Sequence, residues 1–209
     1  MFSGSYENIC SFAIANHAQN GNKLDIYPFY LARDLPLMKL KMSAAGARIP
    51  LLSPEEMSPA QRRFHEAVIT GPRGQMLGPL RAAMHSPGLA ELWSQFGEFL
   101  RFGTSLPPKI SELVILVTGR RWTSQVEWWV HAAAATDAGV SPIVVDAIAA
   151  LQSPAFDNSD DFDAYEYARL LQLTGEVPDE LYGRVNDRWG TAGIVELTAI
   201  IGYYTMVAM

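Results

Sequence analysis

Helix-start signals recur at short intervals along this chain. Ser58-Pro59, Ser86-Pro87 and Ser141-Pro142 each place a capping side chain before a proline that suits the first helical position. Glycines such as Gly71 and Gly139 close the periodic segments that follow. Strand signals are weak, because no Asn-Gly or Asp-Gly pair joins two alternating runs. The pattern predicts an all-α fold, a compact bundle of about seven to nine helices.

The chain divides into two unequal parts. Residues 1–48 contain frequent Asn, Gly and Ser and sustain no helical period, so we expect an N-terminal extension that is poorly ordered or a start codon assigned too far upstream, with Met42 as the alternative beginning. Residues 49–209 carry the helix signals. Since 49% of the chain is hydrophobic, this part is expected to form one well-packed domain. Its last helices are predicted over Asp160 to Leu173, Pro178 to Trp189 and Thr191 to Met209.

Charge and cysteine usage exclude several classes of function. A net charge of -6 disfavours a nucleic-acid partner, which needs clustered Lys and Arg. The single cysteine, Cys10, excludes an intrachain disulfide framework and any Cys-x-x-Cys motif. No stretch approaches the roughly 18 uninterrupted apolar residues of a membrane span, and the N terminus lacks a secretory pattern. We therefore expect a cytoplasmic protein without a membrane partner.

The segment from Glu112 to Gly139, ELVILVTGRRWTSQVEWWVHAAAATDAG, concentrates the candidate chemistry. Glu127 and His131 are four residues apart, so on one helix they share a face and the carboxylate can orient and charge the imidazole. Glu112 begins an apolar run, where an ionisable group is costly to bury unless it is paired. An ordinary solvated surface pair is the alternative interpretation of Glu127 and His131.

The spacing of Glu112, Ser124, Glu127 and His131 resembles the carboxymuconolactone decarboxylase family, which includes the alkyl hydroperoxidase D-like proteins. In the peroxidase branch a glutamate precedes a Cys-x-x-Cys-x-x-x-His helix, and the two cysteines fall here on Ser124 and Glu127. In the decarboxylase branch a glutamate commonly stands four residues before the histidine, as Glu127 does. The chain therefore resembles the cysteine-free branch, over roughly residues 52 to 209.

The resemblance implies a fold of the alkyl hydroperoxidase D-like type that forms a homo-oligomer, a dimer, trimer or hexamer, through its helix faces. Family members run on past a segment like IIGYYTMVAM by a dozen or more residues. A chain truncated at its C terminus is therefore one expectation.

The activity implied is cofactor-independent decarboxylation of a small lactone or β-keto carboxylate, with no metal. His131 is expected to be the catalytic acid, since Glu127 and Glu112 would raise its pKa. Trp128, Trp129 and the helix around Tyr203-Tyr204 are expected to form an apolar wall that excludes water.

Three further residues are candidates for substrate binding. Arg121, or its neighbour Arg120, would clamp an anionic substrate, although helix-end arginines are also explained by the helix dipole and last-turn carbonyls. Ser124 would hydrogen-bond the substrate or the imidazole, or simply cap the helix. His85, just before Ser86-Pro87, would line the pocket.

Three alternative functions stay open at this point. Glu112, Glu127 and His131 have the composition of a two-carboxylate, one-histidine metal site. A hydroperoxidase of the peroxiredoxin type would share the fold, but Cys10 alone cannot form its resolving disulfide. A non-catalytic helical protein that binds a hydrophobic small molecule or a partner is the third.

Overall fold

The computed structural model describes residues 49–209, which form eight α-helices and no strand. The predicted all-α class is thus confirmed for this part of the chain, whereas the prediction for residues 1–48 lies outside it. The helices are α1 Pro59–Thr70, α2 Gly78–Ala83, α3 Pro87–Phe102, α4 Pro108–Arg121, α5 Gln125–Asp137, α6 Pro142–Ala149, α7 Ser159–Thr174 and α8 Asp179–Ala208.

The helix starts fall where the proline signals predict them, but only one serine caps as expected. At α1, Ser58 Oγ accepts from the Gln61 amide while the Gln61 side chain accepts from the Ser58 amide at 2.8 Å, which is a complete capping box. The side chains of Ser86 and Ser141 make no capping hydrogen bond. At those two helices the start is marked by the proline at the first helical position and not by a capping side chain.

Helix α4 lies at the centre of the bundle and packs mainly on α5, α7 and α8. Leu113, Val114, Ile115 and Leu116 are all almost fully buried, which is typical of a helix surrounded on every side. A second, smaller apolar cluster lies among α1, α2 and α3, and Trp93 packs against both clusters.

Helix α8 bends at Gly190, whose φ of 67° lies in the left-handed region that favours glycine. The break agrees with the two helices that the sequence predicts on either side of that residue. Among residues 49–209, α8 is the one helix long and apolar enough to cross a membrane, judged by length and composition. Core helices meet the same criterion, and 39% of its most apolar 18-residue window is buried inside the domain.

The α4–α5 hairpin positions the candidate chemistry. Thr123 turns the chain with a φ of 54°, and the Ser124 amide donates to the Gly119 carbonyl at 2.9 Å. A methyl group on Gly119 would lie 3.2 Å from Glu127 Cβ, so glycine permits the close approach of the two helices there. The hairpin therefore holds the first turns of α5 against α4.

Candidate functional site

His131 lies between two carboxyl groups that come from different helices. Its Nδ1 is 2.6 Å from Glu112 Oε2 on α4, and its Nε2 is 3.5 Å from Glu127 Oε2 on α5. His131 is 3% exposed and Glu127 6% exposed. The alternative of a solvated surface pair is therefore wrong, since the cluster is buried.

The carboxyl groups set the protonation of the imidazole. Burial lowers the pKa of His131, but the hydrogen bonds to Glu112 and Glu127 and the charge of Glu112 outweigh it, so the pKa is raised above its ordinary value of about 6.5. A protonated imidazole has two N–H donors, one for each carboxylate. The arrangement can therefore store a proton near neutral pH and release it to a reacting group.

Tyrosines of α8 form one wall of the cluster. The Tyr204 ring meets the His131 ring edge to face, with centroids 5.0 Å apart, and Tyr203 packs on Tyr204 at 5.2 Å. Burial raises the pKa of Tyr204, so its hydroxyl stays protonated. Trp128 packs against the main core, whereas Trp129 is 59% exposed and does not belong to the wall that the sequence suggests.

Arg101, in the last turn of α3, is a residue of the site that the sequence does not reveal. Its charge opposes protonation of His131 and lowers the pKa of both His131 and Tyr204. Its Nε is buried and has no hydrogen-bond partner. Helices α3 and α5 are not consecutive, so no local spacing relates Arg101 to the histidine.

Arg121 is not brought to the cluster. It lies nine residues after Glu112, about two and a half helical turns, and so projects from the opposite side of α4. There its Nη2 donates to the Gln172 carbonyl of α7 at 3.3 Å, and Arg120 Nε donates to the Ala149 carbonyl at 2.8 Å. Both arginines stand in the last turn of α4 and bind carbonyls in the last turns of neighbouring helices, which fits the helix-end interpretation and not a substrate clamp beside His131.

Neither Ser124 nor His85 has a described contact with the imidazole of His131. Ser124 occupies the N-cap position of α5, where its carbonyl accepts from the Trp128 amide at 3.0 Å and its side chain makes no capping bond. His85 is exposed, and its Nε2 donates to the Pro50 carbonyl at 2.8 Å. His85 thus ties the start of the described chain to the end of α2.

Neither of the two cavities described within residues 49–209 reaches the cluster. A cavity of about 130 Å³ lies among α1, α3 and Arg73, and one of about 30 Å³ lies beside Arg121, but Glu112, Glu127 and His131 line neither. Over residues 49–209 no three His, Cys, Asp or Glu side chains are placed to hold a metal ion. Both imidazole nitrogens already face carboxyl oxygens, which disfavours the metal-site alternative.

No family model, curated protein or solved structure matches this chain. The geometry of the site and the resemblance in motif spacing are therefore the grounds for a functional proposal.

Proposed function

We propose that this protein is a cofactor-independent decarboxylase of a small lactone or β-keto carboxylate. One observation carries the proposal: a buried imidazole, held between two carboxyl groups from separate helices, with a raised pKa. Such an imidazolium is suited to general acid catalysis near neutral pH, which typically contributes about 10²- to 10⁴-fold in rate. The resemblance to the cysteine-free branch of the carboxymuconolactone decarboxylase family supports the same chemistry.

The proposed reaction needs only a proton source and stabilisation of negative charge. When the bond between the substrate and its carboxylate breaks, CO2 leaves and the electron pair moves through the adjacent carbon to a carbonyl oxygen, giving an enolate. The Nε2–H of the His131 imidazolium leaves its long 3.5 Å contact with Glu127, hydrogen-bonds that oxygen and then supplies the proton that the product carbon gains. Water returns a proton to the imidazole, while Glu112 holds the ring at Nδ1. The Tyr203 and Tyr204 rings exclude water and strengthen these contacts.

We also propose that the protein acts as a homo-oligomer in the cytoplasm. Helix α3 presents an apolar stripe to solvent at three- and four-residue spacing, the pattern of a helix–helix seam. Its members are 45–67% exposed, which is unusual for side chains of this size. The stripe consists of Leu89, Leu92, Phe96, Phe99 and Phe102. A second copy of the chain, packed along this stripe, would bury it.

The test is release of CO2 from 4-carboxymuconolactone and a panel of β-keto and lactone acids, in the presence of a metal chelator. We expect release by the wild type and its loss in His131→Gln, which keeps a hydrogen-bonding side chain of similar size. His65→Gln, the same change on α1, is the matched control and should retain activity. Release that persists in His131→Gln would contradict the proposed acid.

A binding protein without catalysis is the second candidate, because the two described cavities, where a small molecule could bind, both lie away from His131. Calorimetric titration of the same acids separates the two. Binding without CO2 release from any member of the panel would favour this candidate, whereas binding followed by release favours the decarboxylase.

A further inference from the structure

The cavity between α1 and α3 combines an apolar floor with charged walls. Its volume is about 130 Å³, and the buried side chains of Phe64 and Val68 form the floor. Arg73, Glu91 and Glu98 line the same cavity. Since a water molecule needs about 10–15 Å³ of cavity space, roughly ten non-hydrogen atoms fit inside. The cavity therefore suits a small molecule that has both an apolar part and charged groups.

The charged side chains of this cavity do not pair with one another. Within residues 49–209 Arg73 forms no ion pair, although Glu91 and Glu98 line the same cavity. Instead, Arg73 Nη2 donates to the Ser94 carbonyl at 3.4 Å, which holds the guanidinium against the backbone of α3, and Arg73 Nε has no hydrogen-bond partner. Because charges of both signs line one cavity without neutralising each other, a ligand that carries both signs can pair with all of them.

Helix α3 sets the order of these charges along the cavity wall. Ser94, whose carbonyl binds Arg73, stands three residues after Glu91 and four residues before Glu98, so the three share one face of the helix. At about 1.5 Å per residue, the two glutamates start about 4.5 and 6 Å from Ser94 along the axis, in opposite directions. Gly97 leaves room for the guanidinium, since a methyl group there would lie 2.6 Å from Arg73 Nη2. The wall is therefore negative, then positive, then negative.

We propose that this cavity binds a free α-amino acid with a cationic side chain, of which lysine is the probe. The α-carbon of such a molecule carries the carboxylate between the ammonium group and the side chain, which complements the order of charges on the wall. The carboxylate accepts hydrogen bonds from Arg73, and the two cationic groups pair with Glu91 and Glu98. The methylenes of the side chain pack on Phe64 and Val68. None of the lining residues belongs to the imidazole cluster, so this inference does not rest on the proposed function.

Three ligands test the charges without altering the protein. Lysine, norleucine and cadaverine are titrated calorimetrically into the full chain at low ionic strength. Norleucine lacks the cationic group of the side chain, and cadaverine lacks the carboxylate. Because a hydrogen bond to a charged group typically changes affinity by about tenfold or more, lysine should bind at least that much more tightly than either analogue. Lysine that does not bind, or that binds no more tightly than norleucine and cadaverine, would overturn the proposal.

Variants then locate the site. Arg73→Gln should weaken lysine binding by about tenfold or more but should not weaken cadaverine binding, because cadaverine has no carboxylate. Glu98→Gln should weaken both. Arg63→Gln and Glu66→Gln are the matched controls, since they remove the same charges from exposed positions on α1 outside the cavity, and both should bind lysine like the wild type. Arg73→Gln that binds lysine like the wild type, or that loses both ligands equally, would contradict the assignment.

Discussion

Replacing Glu112 with glutamine should lower the pKa of His131 and leave the rest of the cluster in place. The 2.6 Å bond from Nδ1 to Glu112 Oε2 is the shorter of the two contacts that favour the imidazolium. With the centres of the two charges about 4 Å apart and an effective dielectric constant near 20, their interaction is about 4 kcal/mol. The glutamine oxygen still accepts a hydrogen bond, so only part of that free energy is lost, and we expect the pKa of His131 to fall.

The assay is a pH titration of the imidazole C–H signals by NMR. The chain has four histidines, and the signal of His131 is the one missing from His131→Gln. Glu176→Gln removes the same charge from an exposed loop and should leave the titration unchanged. An unshifted His131 signal in Glu112→Gln would refute the inference that Glu112 controls the charge of the imidazole.

Three further predictions concern stability and assembly. The pKa of His131 is raised in the folded state, so its contribution to the free energy of unfolding is complete below about pH 6.5. That contribution is lost as the pH rises through the folded pKa, by up to about 1.4 kcal/mol per pH unit. Chemical denaturation at several pH values should show this fall in the wild type and a smaller fall in His131→Gln. Gly97→Ala should cost about 1–3 kcal/mol by the same method, because its methyl group would overlap a tyrosine hydroxyl, whereas Gly88→Ala, with open space around it, should not destabilise the fold. Leu92→Glu should dissociate the proposed oligomer in light scattering, whereas Ile143→Glu, at a still more exposed position on α6, should not.

Local sequence pattern was sufficient to predict most of the helices and to group Glu127 with His131. The signals at Pro59, Pro87 and Pro142 located three helix starts, although no signal predicted α2. The four-residue spacing of Glu127 and His131 placed both side chains on one face of α5. Glu112 could be associated with them because an apolar run allows few positions for an unpaired carboxylate. Each of these inferences depends on neighbours within one helical hairpin.

Features that depend on non-local packing were not predictable in the same way. The spacing of Leu92, Phe96 and Phe99 indicates an amphipathic helix, yet α3 buries its small residues, Ser94 and Gly97 among them, and exposes the large ones. Small side chains are what allow the Tyr203 ring to approach α3, and sequence periodicity does not record that requirement.

Arg121 shows that closeness in sequence does not imply closeness in the fold. It stands close to His131 in sequence, across a tight turn, but helical rotation places it on the other side of α4. Arg101, from another helix, supplies the charge that acts on the imidazole.

The most direct test of the central claim is the pH dependence of kcat/KM for CO2 release by the wild type and Glu112→Gln. An imidazolium acid at His131 predicts that kcat/KM falls as the pH rises through the raised pKa. In Glu112→Gln that fall should move to lower pH by the same amount as the NMR titration. A descending limb that is absent, or that stays in place while the NMR pKa moves, would show that His131 is not the catalytic acid.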